Sequence, residues 1–294
     1  MNILVLGGTY FIGKVLVELL VGKYTVSTLN RGTREPSENV SLIVADRRNY
    51  LEVKDGLRGR NFDVVIDLSG YNEDDVAIVL DSLDGRFEQY IFCSSIAVCS
   101  QPPVYWPITE DHPKCSTVIE NEYGYNKWLA EQRLSRYSQK NNLPISVVRP
   151  VYVYGRYDQS GRMDYFFERI SEGRPIILSG TGENIVQLGY VYDLCNAIVA
   201  MIGNEAAYGQ TFNISGRELV TISQLINVIS LVIATEADVK FNASSQEEAS
   251  ALASKHRFAD IGKAEKVLGI IPETSLSDGI KKTHEWWLMN RRRK

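Results

Sequence analysis

Three side chains in the first half of this chain could together move a proton and assist a hydride transfer: Ser95, Tyr123 and Lys127. Tyr123 and Lys127 are four apart in a stretch, Ile119 to Gln139, whose apolar spacing predicts a long helix, and residues four apart share a helix face. A tyrosine with an ordinary pKa of about 10 is a poor acid-base catalyst at neutral pH until a nearby ammonium stabilises its phenolate. Lys127 would supply that charge. Ser95 follows a branched, apolar run, Gln89 to Cys93, that predicts a buried strand, and a hydroxyl at a strand end could hold the substrate oxygen through which the proton passes. A nicotinamide would take or give hydride at the same carbon. A Tyr-x-x-x-Lys spacing alone is also what an amphipathic helix face shows, so the chemistry needs a cofactor site beside it.

The first thirteen residues predict such a site. Ile3 to Leu6 is short and branched, as a strand buried on both faces is, and it breaks into Gly7-Gly8-Thr9-Tyr10 before restarting as Phe11-Ile12-Gly13. Gly7 allows a sharp exit from the strand, and Gly13 lets the helix from Lys14 to Leu20 pack closely on the sheet. The amides and positive dipole end of that helix suit a pyrophosphate. Tyr10 stands where a three-glycine pattern would place its middle glycine, and glycine turns also serve α/β proteins that bind no dinucleotide. A second strand, Tyr24 to Leu29, ends in Asn30-Arg31-Gly32, with Arg34 close by. At that turn an acidic residue suits the ribose 2′-hydroxyl of NAD and an arginine the 2′-phosphate of NADP, so Asn30 and Arg31 lean towards NADP. After a third strand, Val40 to Val44, comes Asp46-Arg47; Asp46 could accept from the adenine amino group or cap a following helix. Leu68-Ser69-Gly70, after the strand Phe62 to Asp67, would form the next loop over the cofactor.

These strands alternate with helical stretches such as Asn72 to Leu83, which predicts an α/β fold, a doubly wound parallel sheet with ligands at the C-terminal ends of its strands. The strand Ile145 to Arg149, closing at Pro150-Val151, continues the alternation. The segment from Gln101 to Pro113 reads as a loop. Beyond about residue 155 the pattern loosens into shorter elements: helices near Tyr165 to Ile170, from Asp193, at Ile222 to Ala234 and at Ser275 to Leu288, and strands at Ile176 to Leu178, Gln187 to Val191 and Phe212 to Ile214. This portion is expected to be a smaller substrate-side subdomain, with Ser244 to Ser254 a mobile loop or poorly packed helix.

A net charge of −4 argues against a protein devoted to polyanions, and the Arg291-Arg292-Arg293-Lys294 tail reads as a solvated terminus. Four scattered cysteines and three scattered histidines indicate neither a disulfide framework nor a metal site. The chain opens directly on a core strand, leaving no room for a signal peptide, and no apolar run approaches the roughly 18 residues of a membrane span. A cytoplasmic protein is expected.

With these motifs in place, the chain resembles an extended or atypical member of the short-chain dehydrogenase/reductase superfamily, in its NAD(P)-dependent epimerase/dehydratase branch. The likeness runs nearly end to end. It rests on residues 7 to 13, Ser94-Ser95 with Val98, Tyr123-Gly-x-x-Lys127 with Ala130-Glu131, Arg149-Pro150 with Val153-Tyr154-Gly155, Tyr190-Val191-Tyr192-Asp193, and Asp260-Ile261-Gly262-Lys263-Ala264 with Leu268-Gly269 and Pro272. The resemblance implies a Rossmann-type dinucleotide-binding domain over residues 1–155, to which about 185–215 return, and a smaller substrate-binding subdomain over most of 156–294. It implies Ser95, Tyr123 and Lys127 as the catalytic group, Lys127 also on the nicotinamide ribose, Pro150 and Val151 near the nicotinamide, and a homodimer through the helix bearing Tyr123. The implied activity is redox chemistry, epimerisation or reduction, on a sugar-like small molecule. Ile96-Ala97 stand where family dehydratases carry an acidic pair, which argues against dehydration. Val186 and Tyr152 stand where sugar-nucleotide epimerases place an arginine and an asparagine, which puts UDP-sugar binding in question. Tyr10, the Asn30-Arg31-Gly32 turn and Gln187-Leu188-Gly189 together resemble an atypical subgroup that includes chloroplast stem-loop-binding proteins. That subgroup associates with RNA, so the alternative is a dinucleotide-binding, RNA-associated or regulatory scaffold without turnover.

Overall fold

The computed structural model describes residues 1–178, 180–241 and 255–291. Its strands are β1 (Asn2–Leu6), β2 (Thr25–Asn30), β3 (Val40–Val44), β4 (Phe62–Asp67), β5 (Phe87–Cys93), β6 (Ile145–Pro150), β7 (Tyr152–Tyr154), β8 (Ile176–Leu178), β9 (Ile185–Tyr190), β10 (Thr211–Ile214), β11 (Leu219–Thr221) and β12 (Val239–Phe241). Its helices are α1 (Phe11–Leu20), α2 (Tyr50–Gly56), α3 (Glu73–Leu83), α4 (Glu122–Asn141), α5 (Arg162–Ser171), α6 (Val191–Met201), α7 (Ile222–Ile233), α8 (Gly262–Leu268) and α9 (Leu276–Arg291).

Seven strands form one parallel sheet in the order β10-β6-β5-β4-β1-β2-β3. This is the expected doubly wound sheet. The alternation of β1 shows why it needs two covers: Ile3 and Val5 belong to a core on one face, with α1 and α6, while Leu4 and Leu6 belong to a core on the other, with α3 and α4. Each such side chain, fully withdrawn from water, contributes about 1.5–3 kcal/mol. The strand order reverses between β1 and its neighbours β4 and β2, and a crevice opens beyond the C-terminal ends of strands at such a point.

The later strands mostly pair elsewhere. β7, β9 and β11 form a three-stranded sheet and β8 pairs with β12, over a core that includes Phe166, Phe167, Leu225, Ile229 and Trp287. β10 instead returns to the large sheet beside β6. The expected helix from Ile119 starts later, at Glu122, because Asn121 caps it by accepting from the Gly124 amide, and Ile119 is left 98% exposed. The stretch from Ser244 to Ser254 lies outside the described residues. Among those described, no helix is long and apolar enough to cross a membrane.

Candidate active site

β5 runs into Ser94-Ser95, and Ser95 opens a single helical turn (Ile96–Val98), its hydroxyl accepting from the Ala97 amide at 3.2 Å. The start of α4 lies directly against this turn. A Cβ built on Gly124 would sit 1.9 Å from the Ala97 carbonyl oxygen, and the Asn121 side chain donates to that same oxygen at 3.1 Å. Only glycine permits this approach, and it brings Tyr123 near enough to Ser95 for the serine side chain to favour the charged form of the phenol. Gly124→Ala is therefore expected to destabilise the fold by about 1–3 kcal/mol through overpacking, read as a lower unfolding midpoint, and to weaken any Tyr123-dependent activity.

Tyr123 is 44% exposed, yet burial of its phenol, with Cys93 and Tyr71 beside it, pushes its pKa up to about 12 against the opposing effects of Ser95 and Arg162. Lys127, only 3% exposed, donates to the Cys93 carbonyl at 2.7 Å, with the rings of Phe92 and Tyr71 at 4.8 and 5.1 Å from its Nζ. Burial lowers its pKa. The Tyr71 ring also lies 6.3 Å from that of Tyr123, so one aromatic side chain touches both members of the pair. In this arrangement Tyr123 is a neutral phenol across the physiological range.

A cavity of ≈ 350 Å³ lies beyond the ends of β1, β2 and β4. It gathers Gly7, Thr9, Tyr10, Asn30, Arg31, Asp46, Arg47 and Ser69 from the residues expected to hold a cofactor, and adds Tyr71, Arg34 and Asp75. Phe11 and Ile12 lie in the first turn of α1 and pack on the sheet core, as does Leu68. Gly13 supports the turn from below: its Cβ would fall 2.0 Å from the Gly7 carbonyl oxygen. Gly70 is wedged against Asp67 and Phe92. Pro150 ends β6, and Val151 packs with Ile96 and Val98 behind Ser95; neither lines this cavity.

The residues present fit a dinucleotide. No side chain caps α1, the Asn30 Nδ2 is buried without a partner among the described residues, and a side chain at Gly7 would meet Ser69. Arg34 stacks over the Tyr10 ring at 4.8 Å, so the tyrosine in place of glycine forms part of the cavity wall. Asp46 does not cap α2; Asn49 does, while Asp46 accepts from the Arg48 amide.

Arg47 lines the cavity, but its donors point into the protein. It bonds both oxygens of Asp67 at 2.7 and 3.0 Å, the Ser69 hydroxyl and the Asp75 carbonyl. Asp67, fully buried, also accepts from the Ser69 and Gly70 amides and from the Tyr90 hydroxyl. Burial alone would favour the neutral carboxyl, but Arg47 outweighs it and holds Asp67 below the usual carboxylate range. This network fixes the Leu68-Ser69-Gly70 loop, and Asp67, Asp75 and Tyr90 were not foreseen in it. The available signal was Asp67 itself, a carboxylate closing the apolar run Val64 to Ile66; nothing in the sequence singled out Tyr71.

The profile of the NAD-dependent epimerase/dehydratase family matches residues 76–215. The chain is 31% identical over 302 residues to the chloroplast stem-loop binding protein of 41 kDa b from Arabidopsis thaliana, a match that spans 95% of this chain and 77% of that one. The chain belongs to the NAD-dependent epimerase/dehydratase family. Solved structures share its fold: the UDP-glucose 4-epimerase of Thermotoga maritima with UDP-glucose, at a TM-score of 0.86 and 21% identity, covers 99% of this chain and 100% of its own. The UDP-glucuronic acid 4-epimerase of Bacillus cereus, in complex with UDP-glucuronic acid and NAD, gives a TM-score of 0.82 at 21% identity and covers 98% and 99%. Within this family framework Val186 is buried in β9 and offers no charge, and Tyr152 faces two arginines, Arg162 and Arg257.

Proposed function

We propose that this chain is an NAD(P)-dependent enzyme of the short-chain dehydrogenase/reductase type, an epimerase or reductase acting on a hydroxyl or keto carbon of a sugar-like substrate. The observation that carries this reading is the convergence of Ser95, Tyr123 and Lys127 at the C-terminal end of β5, next to a cavity built on the glycine turn. Gly7, Thr9, Asn30, Arg31 and Ser69 would hold the dinucleotide, which when bound supplies the hydride acceptor and donor. Ser95 would orient the substrate oxygen, and Tyr123, protonated at neutral pH, would donate to it or, once deprotonated, accept from it. Lys127 would position the nicotinamide ribose and stabilise the phenolate once Tyr71 no longer lies against it. Ile96 and Ala97 offer no acid or base for dehydration. Residues 1–155 with the returning β10 would form the dinucleotide-binding domain, most of 156–294 the substrate side, and α4 a dimer contact.

The test is calorimetric titration of the nucleotide-free protein with NADPH and NADH. Micromolar or tighter binding is expected, with a preference for NADPH that Arg31→Ala reduces about 10-fold through loss of a charged hydrogen bond. Binding of neither nucleotide would sink the enzyme reading. The Arabidopsis relative favours a second reading, an RNA-associated scaffold; tight, salt-dependent binding of a stem-loop RNA without nucleotide binding would establish it.

A further inference from the structure

The loop from Gly155 to Gly161 joins β7 to α5 and is tied at two places to the cofactor side of the chain. Tyr157 lays its ring against α1: the Lys14 ammonium sits 4.4 Å from the ring centroid, and the Tyr157 hydroxyl donates to Glu18 at 2.7 Å. Trp286 of α9 meets the same ring edge to face, with centroids 5.8 Å apart. Two residues on, the Gln159 side-chain oxygen accepts from Arg34 at 3.1 Å, and Arg34 is the residue stacked over Tyr10 on the cavity wall. These anchors bind a loop of the substrate side to the helix that starts at the glycine turn and to the wall of the cavity itself.

The anchors, not local preference, hold the loop down. Tyr157 has a φ of +67°, a left-handed backbone that a bulky side chain rarely adopts. Asp158 is 6% exposed; its Oδ1 accepts from the Ser160 amide at 2.8 Å, but its Oδ2 is buried without a partner among the described residues. Lifting the loop would relieve the backbone at Tyr157 and give that oxygen water to accept from. Gly155 and Gly161, both with positive φ, bound the segment, and nothing crowds a Cβ at Gly161, so the chain can pivot there. We propose that residues 155–161 form a strap on the cofactor cavity, with Tyr157 and Gln159 as positioning residues that set how fast a dinucleotide enters and leaves. Opening breaks the Arg34–Gln159 and Tyr157–Glu18 bonds and returns the strain and the buried oxygen, so the two positions lie close in free energy. The proposal rests on the reading of the cavity as a dinucleotide site.

The test follows association and release of NADH and NADPH by nicotinamide fluorescence in stopped flow, comparing the full wild-type chain with Gln159→Ala, Tyr157→Phe and the double variant. Tyr157→Phe keeps the ring between Lys14 and Trp286 and removes the hydroxyl. Each single variant is expected to raise association and release rates together, about 2- to 10-fold, and the double variant more than either, with Kd within about two-fold and the unfolding midpoint unchanged. A gate moves both rates, whereas a side chain that merely touches the nucleotide moves release alone. Faster release with unchanged association therefore overturns the strap, as do wild-type rates in the double variant. If wild type binds neither nucleotide, the dinucleotide reading falls and the strap with it; normal binding with unchanged rates removes the strap alone.

Discussion

Tyr123→Phe is expected to lower turnover by roughly 10²–10⁴-fold in any assay that wild type supports, the usual share of a positioned acid-base group, while NADH affinity holds within about two-fold. The substitution removes one oxygen from a residue whose ring is 44% exposed, so the fold should be untouched. The pH dependence follows from the direction of the shift. With burial pushing the phenol up to about 12, Tyr123 keeps its proton well into the alkaline range. Proton donation to a keto oxygen should therefore be flat through neutrality, and proton removal from a hydroxyl should rise about tenfold per pH unit below that value. A proton-removal rate that levels off near neutral pH would show that ligand binding brings the pKa down, as Lys127 could do after Tyr71 moves. Turnover in Tyr123→Phe close to wild type would remove the catalytic assignment altogether.

The largest stability effect is expected at Arg47. Arg47→Met should cost about 3–5 kcal/mol, because it leaves Asp67 buried and charged without its partner. The sign of the acid dependence separates this from simple loss of packing. In wild type the Asp67 pKa is lowered, so its contribution is present above the ordinary carboxylate range and is lost as pH falls through the lowered value. Without Arg47, burial raises that pKa, and the variant should regain stability on mild acidification. Urea midpoints measured between neutral and mildly acidic pH would distinguish the two, and Asp67→Asn in the Arg47→Met background should recover part of the loss. Parallel pH curves for wild type and variant would mean that Asp67 is not the group in question.

What could be read from the sequence was local. The β1 run, the Gly7 and Gly13 turn and the four-residue step from Tyr123 to Lys127 each lie within one element and its immediate neighbour, so their periodicity was visible. The Arg47–Asp67–Tyr90 network was not, because its members lie on separate segments that only the parallel sheet brings together. The same holds for Arg257, which reaches the Tyr152 ring through the pairing of β7 with β9 and the bridge at Val186. Strands β11 and β12, of three residues each, are too short to show a period. The late start of α4 was masked by apolar Val118 and Ile119, which continue the apolar pattern but are exposed. Lys127 illustrates a subtler gap: spacing placed it on the same helix face as Tyr123, but the Cys93 carbonyl and the Tyr71 ring decide where its ammonium rests.

The contact between Gly124 and the Ala97 carbonyl is made by backbone on both sides, and Asn121 ties the same oxygen to the head of α4. The spacing between Ser95 and Tyr123 is thus independent of the side chains that line the pocket around them. Side chains that line the cavity beyond β1, β2 and β4, such as Arg31 and Thr33, can therefore change without moving the backbone contact that sets where Ser95 and Tyr123 sit. A fold with this separation can change what it binds by changing its lining alone, whereas a side chain at Gly124 would push α4 itself away from the turn after β5.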